Sequence, residues 1–368
     1  MHLYLHVPFC ARRCSYCDFA IAVRKQVPSR EWLDAVLWEW KSWQSHPAWS
    51  GSPALETVYL GGGTPSRLDP PVLATVLARI GSDRSLVPDA EVTLEANPDD
   101  VNPRDAERWL DAGMTRVSLG AQSWSPEALA WMHRTHTTAQ IDGAFRVLRQ
   151  AGFQNLSLDL ISGLPESIPR DWSRDLEQVM ALDPEHVSLY SLTVEPRTPL
   201  ARWVTRGESV PAADERAAEQ LLLAHQRLGD AGYEHYEVSN FAKPGRRSRH
   251  NWAYWTRQPY LGLGPSAHSA FGATRSWNER EWEAYRRRAE EGKTVVAGSE
   301  SLTEEQVRLE EAYLGLRTDR GISASRIDPD SAAAWQEAGW AEVRGDTLRL
   351  TPEGWLRLDA LVASLTRC

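Results

Sequence analysis

Two periodicities alternate along the first two-thirds of the chain. Short runs of β-branched, aromatic and leucine residues at His2–Val7, 57–60, 91–95, 116–119, 156–161 and 186–192 read as strands. Between them, apolar positions recur every three or four residues over 30–44, 70–80, 103–112, Thr138–Ala151 and 170–181, the mark of amphipathic helices. Ser29, Asp69, Asn102 and Thr138 stand where N-caps are expected, and Gly113 and Gly152 where helices stop. Strands and helices alternating at this spacing predict parallel strands joined by crossover helices. Six such units are two short of a closed barrel. An open, three-quarter (β/α)6 barrel of α/β class is therefore expected over residues 1–232.

Beyond about residue 210 the pattern changes. One long helix is expected at 212–232, followed by Tyr233-Glu234-His235-Tyr236-Glu237 and then a loop-like stretch rich in Gly, Pro, Trp and Tyr to about Gly298. From Thr303 the order reads helix, helix, a short hairpin around Gly345-Asp346, helix. That order predicts a small winged-helix-like segment ending a C-terminal domain of residues 233–368. From Thr303 onward, eight Arg or Lys stand against twelve Asp or Glu, a balance of −4. Duplex binding is disfavoured, and an accessory or lid role is expected.

The whole chain sharpens this picture. At 368 residues two domains are expected. A net charge of −9 speaks against a nucleic-acid partner. No run of 18 apolar residues suggests a membrane span, and Met1-His2-Leu3-Tyr4 lacks a signal-peptide pattern. A cytoplasmic location is expected. The seventeen tryptophans scatter and define no stacking surface.

Candidate chemistry begins at Cys10, Cys14 and Cys17, spaced Cys-x3-Cys-x2-Cys directly after the first strand. A [4Fe–4S] cluster takes four thiolates, so three leave one iron open to a small molecule. The competing reading is structural zinc with His6 as fourth ligand. Structural zinc usually draws on two separated ligand pairs; no second pair exists, and His6 lies inside a strand. Cys368 fits a reducing compartment as a free thiol.

The other unusual residues fall just past the strand ends, the face where parallel α/β folds build their sites. They are Gly61-Gly62-Gly63-Thr64-Pro65, Glu95-Ala96-Asn97-Pro98, Gln122, Asp159 and Thr193-Val194-Glu195. Taken singly, the glycine run is a common turn, Glu95 or Asp159 a solvated strand end, and Arg134 a surface charge. Gathered on one rim with the cysteine loop, they read as one site.

These motifs, with His6-Val7-Pro8-Phe9-Cys10, Leu119-Gly120-Ala121-Gln122-Ser123, Asp159-Leu160-Ile161-Ser162-Gly163-Leu164-Pro165 and His250-Asn251-Trp252-Ala253-Tyr254-Trp255, resemble the radical S-adenosylmethionine (SAM) superfamily. The resemblance covers essentially the whole chain. It is narrowest to the branch of oxygen-independent coproporphyrinogen III dehydrogenases and heme chaperones. It implies that Cys10, Cys14 and Cys17 hold three irons, the fourth taking the amino and carboxylate groups of SAM. Gly62, Gly63 and Thr64 would meet the SAM amino group, and Glu95 the ribose hydroxyls or the amino group. Arg134 would pair with the SAM carboxylate, where a two-pronged donor fits. Gln122 and Asp159 would flank the sugar, Thr193 would join the SAM site, and Tyr4 and Tyr16 would pack over the cluster loop.

Within the branch, dehydrogenases carry a fourth cysteine two positions after the third, where Phe19 stands here. They also carry a long segment ahead of the cysteines, against nine residues in this chain. Both departures favour the heme-chaperone side, with heme and acceptor (respiratory) hemoproteins as partners. The alternative is the dehydrogenase: radical oxidative decarboxylation of porphyrinogen propionates. His250, Asn251, Tyr254 and Trp255 match the heme-associated signature, with the His250 imidazole as axial ligand and Tyr254 as second choice. Lys243, Arg246, Arg247 and Arg249 are read as partners of heme propionates or of an anionic membrane surface, which would add a peripheral location at the inner membrane face. A solvated basic loop is the plainer alternative. His268 is read as structural, His133 and His136 as helix-end residues. Cys368 is read as a stray thiol, with donation to another chain's cluster in a homodimer as the alternative. No catalytic residue is assigned.

Overall fold

The computed structural model describes residues 1–51 and 53–365. Cys368 lies outside the described residues. The expected strands form β1 (His2–Val7), β2 (Leu55–Gly62), β3 (Leu86–Ala96), β4 (Arg116–Gln122), β5 (Leu156–Ser162) and β6 (His186–Ser191), all paired in parallel in chain order. Helices α1 (Ser29–Trp43), α2 (Pro70–Asp83), α3 (Pro103–Asp111), α4 (Pro126–Trp131), α5 (Thr138–Ala151) and α6 (Trp172–Leu182) make the crossovers. Every residue of β4 is buried, as a parallel strand covered on both faces must be.

Local signals explain most helix ends. The Asn102 side chain accepts from the Asp105 amide, and Gly152 ends α5 in the left-handed region at φ 114°. Two caps differ from expectation. Thr137, not Thr138, caps α5, because Gln140 at the third helical position completes a capping box. Ser29 lies within α1, where Pro28 takes the cap position and no side chain caps the helix.

After α7 (Pro199–Thr205) and α8 (Asp214–Asp230) the sheet continues through the stretch expected to be loop-like. Strand β8 (Asn240–Ala242) adds antiparallel to β6, and β7 (Glu234–Glu237) antiparallel to β8. Past α9 (Arg249–Trp255), β9 (Tyr260–Leu263) pairs parallel to the free edge of β1. Then β10 (His268–Phe271), β11 (Thr274–Asn278) and β12 (Val296–Ser301) extend that edge antiparallel. The sheet order is β12-β11-β10-β9-β1-β2-β3-β4-β5-β6-β8-β7, an open sheet of twelve strands curled round a polar interior. β9 lacks an alternating pattern because its centre is Gly262, where a side chain would collide with the carbonyl of His268. The barrel core takes in Trp32, Trp40, Trp49 and Trp109, and reaches Trp282 and Tyr285 of α10 (Trp282–Glu290).

A second core gathers Leu316, Ile322, Trp335, Leu348, Leu350 and Trp355. Around it stand α11 (Glu304–Leu316), α12 (Pro329–Glu337), the small sheet of β13 (Ile322–Ser323), β14 (Ala341–Arg344) and β15 (Thr347–Leu350), and α13 (Leu358–Leu365). The hairpin turns at Gly345-Asp346, as expected. Arg317 ties this unit to the barrel through the buried Glu237 at 3.1 Å. Among the described residues no helix is long and apolar enough to cross a membrane.

Candidate functional site

A cavity of about 440 Å³ opens at the C-terminal ends of the parallel strands. Cys10, Cys14 and Cys17 line it together with Tyr16, Gly62, Gly63, Thr64, Glu95, Gln122, Arg134, Asp159 and Thr193. Of the residues expected to hold cluster and SAM, Tyr4 alone is elsewhere. Its hydroxyl bonds His6 Nδ1 at 3.1 Å beneath the cavity floor, and its ring stacks on Tyr59.

The glycine turn is built by close approach. Gly62 has φ 113°, a left-handed conformation, and the His6 ring packs only 2.5 Å from where a Cβ on this residue would stand. A Cβ on Gly63 would stand 2.8 Å from the Pro8 carbonyl oxygen and 3.0 Å from Cys10 Sγ. Only backbone therefore fits between strand end and cysteine loop, and the Gly63 amide bonds the Val7 carbonyl at 2.8 Å. His6 supports this turn. Its ring nitrogens meet Tyr4 and the Ala20 carbonyl, and burial lowers its pKa to about 4.

Thr64 Oγ1 and Arg134 Nη1 donate to Cys10 Sγ and Cys14 Sγ, each at 3.5 Å. Burial raises the Cys10 thiol and pushes Cys17 up to about 12. Thiols so desolvated become thiolates readily only when a positive partner takes the charge. Among the described residues no three His, Cys, Asp or Glu side chains converge as they would on a single ion. A cube that takes one thiolate per corner spreads its ligands more widely, and the donor set fits it.

On the floor, Glu95 accepts from Tyr59 Oη at 2.8 Å and the Gly62 amide at 3.0 Å. Burial pushes its pKa up to about 7, and raises that of Asp159, which accepts from Ser118 Oγ at 2.9 Å. Arg134 is held by Asn97 Oδ1 at 2.6 Å and the Gly120 carbonyl at 3.1 Å, while its Nε has no partner. A buried guanidinium with an orphaned N–H is suited to a carboxylate supplied from the cavity. Gln122 sits at φ 68° where the register of β4 slips. The next residues are pinned by Asp175, which accepts from Ser123 Oγ, the Trp124 amide and Arg170 Nε within 2.8 Å.

Ser118, Tyr59 and Tyr190 also shape this site without having been assigned to it from sequence, and Asn97, part of the Glu95–Pro98 motif, had been given no role of its own. Asn97 was within reach of the strand-end rule; Ser118 lies inside β4, and Tyr59 acts only through Glu95, which no linear pattern reveals.

The His250 motif lies apart, on α9 below the cavity. His250 is buried, with Nδ1 2.6 Å from Thr57 Oγ1 and Nε2 2.8 Å from Tyr254 Oη, and its ring stacks on Tyr59. The Asn251 amide is capped by Ser248, and Trp255 stacks under Arg317. None of the four lines the cavity. Among the basic run, Lys243 pairs with Asp183, Arg247 with Glu234 and Asp319, and Arg249 with Asp89. His136 bonds the Ala121 carbonyl, whereas His133 lines the cavity.

Comparison with known proteins follows the same outline. The radical SAM superfamily pattern matches residues 4–179. The chain is 38% identical over 370 residues to the heme chaperone HemW of Mycobacterium tuberculosis, covering 99% of this chain and 94% of that one. It is 35% identical to HemW of Bacillus subtilis, over 88% and 85% of the two chains. Among solved structures it is similar to coproporphyrinogen III oxidase (HemN) of Escherichia coli, a radical SAM enzyme. That match has TM-score 0.83 at 21% identity, over 99% of this chain and 89% of the other.

Proposed function

We propose that this chain, which belongs to the HemW family within the radical SAM superfamily, is a heme chaperone that keeps a [4Fe–4S] cluster and a SAM site and passes heme to acceptor hemoproteins. The observation that carries the reading is the cysteine loop: three thiols on the cavity wall, with Phe19 rather than a fourth cysteine at the mouth. The name of these relatives, heme chaperone, supports the heme cargo. The division into a core of residues 1–232 and a domain of 233–368 is part of the proposal, as is a cytoplasmic place of work.

In this reading Cys10, Cys14 and Cys17 hold the cluster, which supplies one-electron chemistry at its open iron. Thr64 and Arg134 stabilise the thiolates by hydrogen bonds. The free edge of Arg134 orients a carboxylate beside them, and the backbone of Gly62 and Gly63 lets an amino group approach. Glu95, Gln122 and Asp159 receive the hydroxyl groups of a sugar. Tyr59 and Ser118 hold the two carboxylates in place from below.

The dehydrogenase reading is separated by one anaerobic experiment on reconstituted protein. Stoichiometric uptake of hemin and its transfer to an apo-hemoprotein, with no porphyrinogen decarboxylation, is the expected result. Porphyrinogen turnover without heme uptake would overturn the proposal.

A further inference from the structure

Resting on the heme-carrier reading, we infer that the iron of bound heme is ligated by His133 at the cavity mouth and not by the buried His250. A ligand to heme iron needs a free ring nitrogen on an accessible wall. Of the ten histidines, five have both ring nitrogens in hydrogen bonds among the described residues: His2, His6, His186, His235 and His250. For His250 both nitrogens are taken and the ring is enclosed. Of the other five, His46, His133, His136, His225 and His268, only His133 lines the cavity.

The backbone supports the assignment independently. His133 follows the end of α4 at φ 59°, the left-handed position where a helix usually ends in glycine. Glycine would sit there without strain; an imidazole does so at a cost, so the side chain itself has use. It packs edge-on against Trp203 of α7, ring centroids 5.3 Å apart, which fixes its plane.

The surroundings suit a macrocycle with two anionic arms. Phe19 and Tyr190, 59% and 46% exposed, line the mouth with Ile21 and Leu192 and offer apolar and aromatic faces. Arg12 stands on the same rim, exposed, and among the described residues it makes no hydrogen bond or ion pair. A propionate would give it one.

The test is anaerobic hemin titration of the reconstituted protein and of His133→Gly, a variant that removes the imidazole while relaxing the backbone. The expected result is an imidazole-ligated Soret and EPR signature in the wild type. In His133→Gly that signature should be lost, with affinity weakened about tenfold or more and the signature restored by added imidazole. The cluster's absorbance should be retained. His250→Ala should keep the ligated signature. Unchanged spectrum and affinity in His133→Gly, or loss of the signature in His250→Ala alone, would overturn the inference while leaving the carrier reading intact. A wild type that takes up no heme would end the carrier reading itself.

Discussion

The rim of the barrel and its lower interior carry the same kinds of residue in opposite states. Below the cavity floor, His2, His186 and His250 each have both ring nitrogens satisfied by side-chain oxygens: His2 by Thr57 and Gln258, His186 by Ser157 and Tyr236, His250 by Thr57 and Tyr254. Burial holds all three imidazoles neutral. On the rim, Arg134 keeps an orphaned Nε, the His133 ring has no hydrogen-bond partner among the described residues, and three thiols face a cavity. Polar groups inside a protein either complete each other or wait for a ligand. The lower set is complete, and the rim waits.

The largest break of this contrast is expected at the cysteines. Replacing any one of Cys10, Cys14 or Cys17 with Ser should reduce iron from about four per chain to near zero after reconstitution. Thermal stability of the cluster-free chain should barely change. Iron and acid-labile sulfide assays beside thermal melts read both. A large fall in melting temperature would mean that the loop is structural instead.

The lower interior should respond in the reverse sense. His250→Ala empties a buried space, leaves the Tyr254 hydroxyl unpaired and takes from the Thr57 hydroxyl one of its two imidazole partners, so unfolding free energy should fall by about 2–4 kcal/mol. Reconstituted iron per folded chain should stay constant. Urea unfolding and iron content measured together check this. Full stability with lost iron would show that the lower barrel belongs to the site.

How much of this contrast was legible in the residues differs by level. The first strand, His2–Val7, came out at its observed bounds because its apolar run is closed by Pro8. β2, β4 and β5 extend past their expected ends, into Gly61-Gly62, Gly120–Gln122 and Ser162, since site residues lack the pattern that marks a strand. β9 escaped notice because a close-packed glycine interrupts it. The rim was readable through the rule that sites follow strand ends. The enclosure of His250 was not, because its partner Thr57 lies 193 positions away. Cross-sheet hydrogen bonds leave no periodic trace.

A carboxylate at the boundary between the two zones sharpens the comparison. Burial pushes Glu95 up to about 7 from 4.5. The folded state then binds more protons than the unfolded chain between those values, so this group's contribution to stability falls as pH rises through the window. Relative to wild type, ligand-free Glu95→Gln should gain about 1–3 kcal/mol between pH 4.5 and pH 7, less where water in the cavity screens the charge. Urea unfolding at several pH values measures the difference. A difference independent of pH would place Glu95 in solvent-like surroundings.

The smallest effect is expected at the basic run, which lies on neither side of the divide. Its sequence suggests an unneutralised patch, yet Lys243, Arg247 and Arg249 all have carboxylate partners, at 2.7, 2.6 and 3.1 Å at their shortest. Arg247 reaches both Glu234 of β7 and Asp319 beside the second core, so it works as a tie between the two units. Only Arg246 lacks an ion pair among the described residues, and one lysine or arginine near an anionic surface is worth only about 1 kcal/mol. Arg246→Ser should therefore shift unfolding free energy by less than about 0.5 kcal/mol and leave co-sedimentation with anionic vesicles unchanged. Arg247→Ser should cost about 1 kcal/mol, since its half-exposed pairs are screened by solvent. Strong vesicle binding abolished by Arg246→Ser would restore a membrane role to this loop and show that its ion pairs give way at a charged surface.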